Sequence, residues 1–267
     1  MRSRKKRILV AGAINGMGRL VALDLAKHQI ELIILGDDCI KGQELCNEII
    51  ASSSLTHDDL FYYHADLSSE ANVRELAREL KRDFSHIDAM IVTEGHIYPR
   101  KYVTDEGLDR NLVANYFSHY WLIQQFRPLL EGGRILIPAS HPRIVNRSKV
   151  NLPTEQRTDR YRGIIAARQA LVARILLMRY LNQPLKKYNI TINVFNPKVS
   201  SRLSLFFANH SEEHINTASQ LALDDDVEGL SGQFFGDKKK MIKLSKNYSL
   251  LKAEEFYQWS KEQNRRI

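Results

Sequence analysis

Cysteine is almost absent from this sequence, with 2 in 267 residues. Both, Cys39 and Cys46, fall in one expected helix two turns apart, which puts their Cα atoms roughly 10 Å from each other. They cannot pair, so a disulfide framework is excluded and a reducing compartment is expected. Long apolar runs are also missing: nothing approaches the roughly 18 consecutive residues of a membrane span. The first seven residues, Met1 to Arg7, are basic and run straight into a short apolar stretch instead of a signal-peptide core. A cytoplasmic protein without a membrane span is the expectation. The histidines show no ligand spacing, so no metal site is expected.

Charge is unbalanced, at a formal +8 with a pI near 9.4. The excess gathers in the first seven residues and in Lys238-Lys239-Lys240. No aromatic residues interleave with it, so it reads as a solvated tail and loop charge rather than a nucleic-acid or membrane surface. Repeats and low-complexity tracts are lacking apart from Ser52-Ser53-Ser54 and Asp224-Asp225-Asp226. No linker is visible, so residues 1–267 are expected to form one domain. Its parts would be a basic tail over 1–6, a substrate-side lobe over 196–235 and a C-terminal segment over 236–267.

What is present is alternation. Strand-like apolar runs over Arg7 to Ala11, Glu31 to Leu35 and Leu60 to His64 are interleaved with helical patterns over Gly18 to His28, Ile40 to Ala51 and Glu70 to Phe84. The pattern continues with strands over Ile87 to Thr93, Arg134 to Pro138 and Ile190 to Phe195, separated by long helices over Asp109 to Leu130 and about Arg162 to Tyr188. Such βαβ repetition predicts an α/β fold, a doubly wound parallel sheet of Rossmann type with helices on both faces. Pro184 lacks an N–H and predicts a kink or break between Leu181 and Leu185.

The first strand leads into Gly12-Ala-Ile-Asn-Gly16-Met-Gly18, which opens a helix. A glycine turn in that place lets main-chain N–H groups and the positive helix end meet a pyrophosphate, which makes Gly12, Asn15, Gly16, Met17 and Gly18 cofactor-binding candidates. About twenty residues on, Gly36-Asp37-Asp38 ends the second strand, where an acid accepts from the adenine-side ribose hydroxyls. Asp37 takes that role, unless either acid simply caps the helix beginning near Ile40. A carboxylate there repels a 2′-phosphate and favours NAD over NADP, with Arg19 beside the loop arguing the other way.

These residues resemble the short-chain dehydrogenase/reductase family from Arg7 to about Ser260. The glycine loop matches, with Ala11 where threonine is usual. Asp66-Leu67 matches the pair that touches adenine, Asn115 the helical active-site asparagine, and Ser140 the serine that orients a substrate carbonyl. The family's Asn-Asn-Ala-Gly is here Val92-Thr93-Glu94-Gly95, so only Gly95 survives, and Glu94 brings an acid towards the adenine region. The tail from Leu223 to Phe235, with Trp259-Ser260, is similar to the subgroup containing retinol dehydrogenases and the WW-domain oxidoreductase.

The resemblance implies a Tyr-x-x-x-Lys pair, in which the phenol moves a proton while the lysine lowers its pKa and holds the nicotinamide ribose. Ungapped alignment puts Ile164 at the tyrosine position and Arg168 at the lysine position. Arg168 retains a charge that could grip the ribose, but Ile164 moves no proton. Tyr161, three residues earlier, and His141, beside Ser140, are the substitutes on offer. The family's Pro-Gly after the sixth strand is Pro197-Lys198, with a lysine where nicotinamide would lie. Three functions follow: an NAD-dependent oxidoreductase for a carbonyl or alcohol with an impaired site, a silent cofactor-binding regulator, or a basic interaction module without cofactor. The resemblance also implies a homodimer through the two long helices, against which Arg168, Arg174 and Arg179 weigh.

Overall fold

The computed structural model describes residues 4–151, 161–197 and 216–266. Seven parallel strands are ordered β3-β2-β1-β4-β5-β6-β7. In chain order they are β1 (Lys6–Ala11), β2 (Ile30–Gly36), β3 (Leu60–His64), β4 (Ala89–Val92), β5 (Arg134–Pro138), β6 (Thr191–Phe195) and β7 (Phe234–Phe235). The expected doubly wound Rossmann-type α/β sheet is present. Strand side chains alternate between its faces, and both faces are covered. Leu9, Ile33, Met90, Ile135 and Val194 pack on one side, and Ile8, Ile34, Ile91, Leu136 and Phe195 on the other.

The second side carries α1 (Gly16–Leu25), α2 (Cys39–Ser52) and α8 (Asn216–Leu223). On the first lie α3 (Glu70–Asp83), α5 (Ser118–Phe126), α7 (Gly163–Leu185) and α9 (Leu250–Arg265). Cys39 and Cys46 are both free on α2. Two helix expectations need correction. The helix expected to run unbroken from Asp109 is divided: α4 (Arg110–Leu112) passes into a π-helical turn over Val113–Phe117 before α5 begins. Pro184 does not break α7, which runs on to Leu185. Its missing N–H removes one i→i−4 bond, the one to the Tyr180 carbonyl, and the helix accommodates that loss for its last turn.

The polar stretch after β5 holds a short helix, α6 (Pro142–Arg147), with His141 as its N-cap. The C-terminal helix α9 lies across α5 and α7. Tyr257 stacks on Tyr180 with ring centroids 3.9 Å apart, Ser260 shares a 2.8 Å hydrogen bond with Tyr116, and the Tyr257 hydroxyl accepts from Gln124. Among the described residues, no helix is long and apolar enough to cross a membrane, and no His, Cys, Asp and Glu cluster is suited to a metal.

Strand order positions the site. From β1 the chain winds outward through β2 and β3, then returns to lay β4 on the other flank of β1. The carboxyl ends of β1 and β4 therefore face a crevice where the winding reverses, the usual place for a ligand in an open parallel sheet.

Candidate functional site

The glycine turn at that crevice has the geometry its sequence suggested. Gly12 and Gly16 adopt φ of +77° and +50°, a region costly for residues with a Cβ. A Cβ on Gly18 would overlap the Gly12 carbonyl and the Thr93 hydroxyl, so helix and strand approach too closely for any side chain. Over Gly16 there is open space. Asn15 is the exposed N-cap of α1 and makes no side-chain cap, Met17 is buried beneath the turn, and the first turn carries no acid. Its orphan main-chain N–H groups are therefore donors at a positive helix end, which fits an anionic diphosphate.

Thr93 explains how the turn is held. Its hydroxyl donates to the Ala11 carbonyl at 2.7 Å and its backbone N–H to the same oxygen at 2.9 Å. The next residue, Glu94, is the exception to the fit. A Cβ added to Gly12 would stand 3.0 Å from the Glu94 carboxylate oxygen and 2.9 Å from its backbone N, so this acid leans over the first glycine of the turn. Burial, and then the charge of Asp37, push the Glu94 carboxyl pKa up to about 7.

The two acids after β2 are placed differently. Asp38 caps α2, accepting from the backbone N–H groups of Ile40 and Lys41, and the Lys41 bond holds its carboxylate below the usual range. Asp37 is left exposed at the strand end. Asp66 is exposed after β3, accepting from Ser68 N–H at 2.9 Å and the Asn72 side-chain amide at 2.8 Å, while Leu67 is buried. Arg19, expected to face the phosphates, is instead paired with Glu48 on α2.

Across the crevice the opposite side is built around one buried arginine. Arg174, on the sheet-facing side of α7, is 2% exposed. Its guanidinium donates to the carbonyls of Asn115 at 2.5 Å, Glu94 at 2.7 Å and Pro138 at 3.5 Å. It thus ties together the loop after β4, the π-helical turn and the end of β5. Burial lowers its pKa to about 9, so the charge persists at neutral pH. Asn115 is fully buried in the π turn; its amide donates to the carbonyls of His96 and Asn111, and its Oδ1 is buried without a partner. A Cβ on Gly95 would press on that Oδ1 at 3.0 Å, which accounts for glycine there. His119, one turn on from Asn115, is held neutral by burial and by the Arg174 charge.

Ser140 is buried at the end of β5. Tyr161, the first substitute donor, is engaged elsewhere: its hydroxyl accepts from Asn111 at 2.6 Å and donates to Asp109 at 3.2 Å. Burial, the largest influence, raises the pKa of its phenol. Ile164 is 52% exposed, and Arg168, one turn further along the same face of α7, is also exposed. Gly163, between Tyr161 and these residues, packs so tightly on the Tyr98 carbonyl that a Cβ would overlap it. His141 accepts the Arg143 N–H on Nδ1, so its neutral ring carries the proton on Nε2. Pro197 is buried at the end of a described stretch; Lys198 lies outside the described residues, as does much of the expected substrate-side lobe.

The fold and the glycine turn define a Rossmann-type α/β protein. The chain belongs to the short-chain dehydrogenase family, a family of oxidoreductases, whose model matches residues 6–203. It is similar to mouse retinol dehydrogenase 14, at 26% identity with 90% of this chain and 80% of that protein covered. The WW domain-containing oxidoreductase of Drosophila melanogaster is also 26% identical, covering 86% of this chain and 61% of that longer protein. Among solved structures, the Pseudomonas aeruginosa RhlG/NADP active-site complex superposes with a TM-score of 0.67 at 20% identity, over 88% of this chain and 95% of that one.

Sequence reasoning gave Thr93 no role and counted Arg174 among the arginines weighing against a dimer surface; at 2% exposed it lies on no such surface. A lone arginine inside Ala170-Leu-Val-Ala-Arg174-Ile-Leu-Leu-Met178, apolar on every side, was the available signal for the second.

Proposed function

We propose that this chain binds a nicotinamide dinucleotide along its glycine turn and offers Ser140 to a carbonyl or alcohol group, with a proton relay that is disabled. The observation carrying the reading is the positive-φ turn at the head of α1, whose open side at Gly16 faces no side chain. Main-chain N–H groups of the Gly12–Gly18 turn would hold the diphosphate, Asp37 the adenine-side ribose, and Asp66 and Leu67 the adenine. Gly95 and Pro197 would line the cleft, and Arg168 would meet the nicotinamide ribose. When bound, the nicotinamide supplies or accepts hydride. Ser140 orients the reacting oxygen, and Asn115 with Arg174 keeps the π turn in shape behind it.

What is missing is a group that moves a proton at that oxygen. Ile164 cannot, and the Tyr161 phenol is committed to Asn111 and Asp109. General acid–base catalysis is worth about 10²–10⁴-fold, so turnover should be slow by that order. Asp37 favours NAD, and the pairing of Arg19 with Glu48 weakens the argument for NADP; the NADP named in the Pseudomonas complex is the reason to test both. Calorimetric titration with NAD(H) and NADP(H) is the direct test. Saturable binding, tighter for NAD(H), supports the proposal, and no heat with any of the four sinks it.

A second reading is favoured by one observation. With Nδ1 of His141 occupied by the α6 cap, the proton sits on Nε2 of a residue adjoining Ser140. If His141 is the donor, His141→Gln removes the residual carbonyl reduction, and Tyr161→Phe leaves it untouched.

A further inference from the structure

Glu94 is a departure from the family pattern that the proposed function does not use. It follows Thr93, the residue that ties β4 to the glycine turn, so its backbone has no freedom to swing away. Its own carbonyl is held by Arg174 at 2.7 Å. Fixed at both points, the side chain projects over Gly12, with a carboxylate oxygen 3.0 Å from where a Cβ on that glycine would be. The main-chain N–H groups that suit a diphosphate therefore share their crevice with a fixed acid.

The groups around that acid set its sign. Asp37 after β2 and Asp66 after β3 oppose its ionisation, and Arg174 from α7 favours it. Tyr98, further along its own loop, is uncharged near neutrality, because burial raises its pKa. Two neighbouring carboxylates and one arginine leave the crevice with an excess of negative charge when Glu94 is ionised. A diphosphate entering beside it meets like charge at short range in a half-enclosed site, where the interaction is much stronger than in water.

We propose that Glu94 is a charge gate on the cradle: its carboxylate rejects the diphosphate, and its neutral form admits it. The inference rests on the reading of the cleft as a dinucleotide site and adds a control on that site. Binding then takes up a proton, and affinity rises as the pH falls. With the carboxyl at about 7, linkage limits the effect to about tenfold between about pH 8 and about pH 6.

The experiment is calorimetry of NAD⁺ at about pH 6 and about pH 8 against the wild type, Glu94→Gln and Glu94→Ala, with adenosine as an uncharged probe of the same cleft. Alanine is what the family motif carries at this position, so it guards against a glutamine variant that fails to fold. Expected is NAD⁺ binding about tenfold tighter at the lower pH in the wild type. Both variants should reach that tighter affinity at either pH, and adenosine should bind all three proteins alike. Wild type and variants that bind NAD⁺ equally at both pH values overturn the gate and leave the dinucleotide reading standing. An adenosine affinity that rises with the variants also overturns it, because shape rather than charge would then be the obstacle. No NAD⁺ binding by any of the three proteins removes the dinucleotide reading, and the gate with it.

Discussion

The two sides of the crevice are made of different material. On one side, the turn from Gly12 to Gly18 offers main-chain N–H groups, and what it needs from the sequence is mostly the lack of side chains. On the other, the first turns of α7 should present a phenol and an ammonium, and they present Ile164 and Arg168. A site made of backbone keeps its chemistry as long as the fold keeps its shape. A site made of side chains loses its chemistry with one substitution, while the helix that carries them stays intact. Here the glycine turn has the form of a cradle, and on the reading proposed above the relay is disabled. One fold therefore supports two separable statements, about binding and about reaction.

The sharpest way to break this contrast is to rebuild the relay. Ile164 is exposed and Arg168 sits one turn away, so Ile164→Tyr with Arg168→Lys disturbs no core packing. Turnover on a panel of carbonyls and alcohols should rise by about 10²–10⁴ if the missing proton donor is the main defect. An unchanged rate, with cofactor still bound, would move the defect from α7 to the substrate side.

Arg174 is the element the two sides share, since it bonds Glu94 next to the cradle and Asn115 and Pro138 behind Ser140. Arg174→Leu leaves these buried carbonyls without a donor, at about 1–3 kcal/mol for each bond that matters. The two short bonds dominate, so a loss of roughly 2–6 kcal/mol is expected in urea unfolding. A loss below about 1 kcal/mol would mean that leucine packing offsets the lost bonds, as can happen when a buried charge is replaced by an apolar residue. The contrast between cradle and relay would then lack its common support.

The sheet and its order of elements were legible because apolar runs of strand length alternate with helical patterns, and β3 and β5 match their expected ranges. The glycine turn was legible for the same reason that it is robust, since spacing alone specifies it. Which of Asp37 and Asp38 caps α2 was not, because both are acids at a strand end and only the capping geometry separates them. Nor was the π turn at Asn115, whose sequence reads as ordinary helix; its shape comes from tertiary bonds to Arg174 and His96. Tyr161 had the spacing of a substitute donor, and only the partners Asn111 and Asp109 reveal that it is spoken for. The pairing of Arg19 with Glu48 on a separate helix was hidden likewise. Apart from the local Asp38 cap, what escaped the sequence was pairing between residues far apart in the chain.

The smallest expected effect concerns choice of cofactor, and it probes the cradle alone. Asp37 is exposed and makes no cap, so replacing it costs the fold little, while Asp38 continues to hold α2. An acid at this place accepts from ribose hydroxyls and repels a 2′-phosphate, and each contribution is of hydrogen-bond size, about 1 kcal/mol. Asp37→Ser should therefore weaken NADH binding and strengthen NADPH binding, changing their affinity ratio by about thirtyfold in total. The shift should leave residual turnover per bound cofactor unchanged, because Asp37 lies across the crevice from Ser140. If the ratio stays fixed, the ribose is held elsewhere. If turnover per bound cofactor also changes, the two sides are coupled through Glu94, whose carboxyl feels the Asp37 charge, and they are less separable than their materials imply.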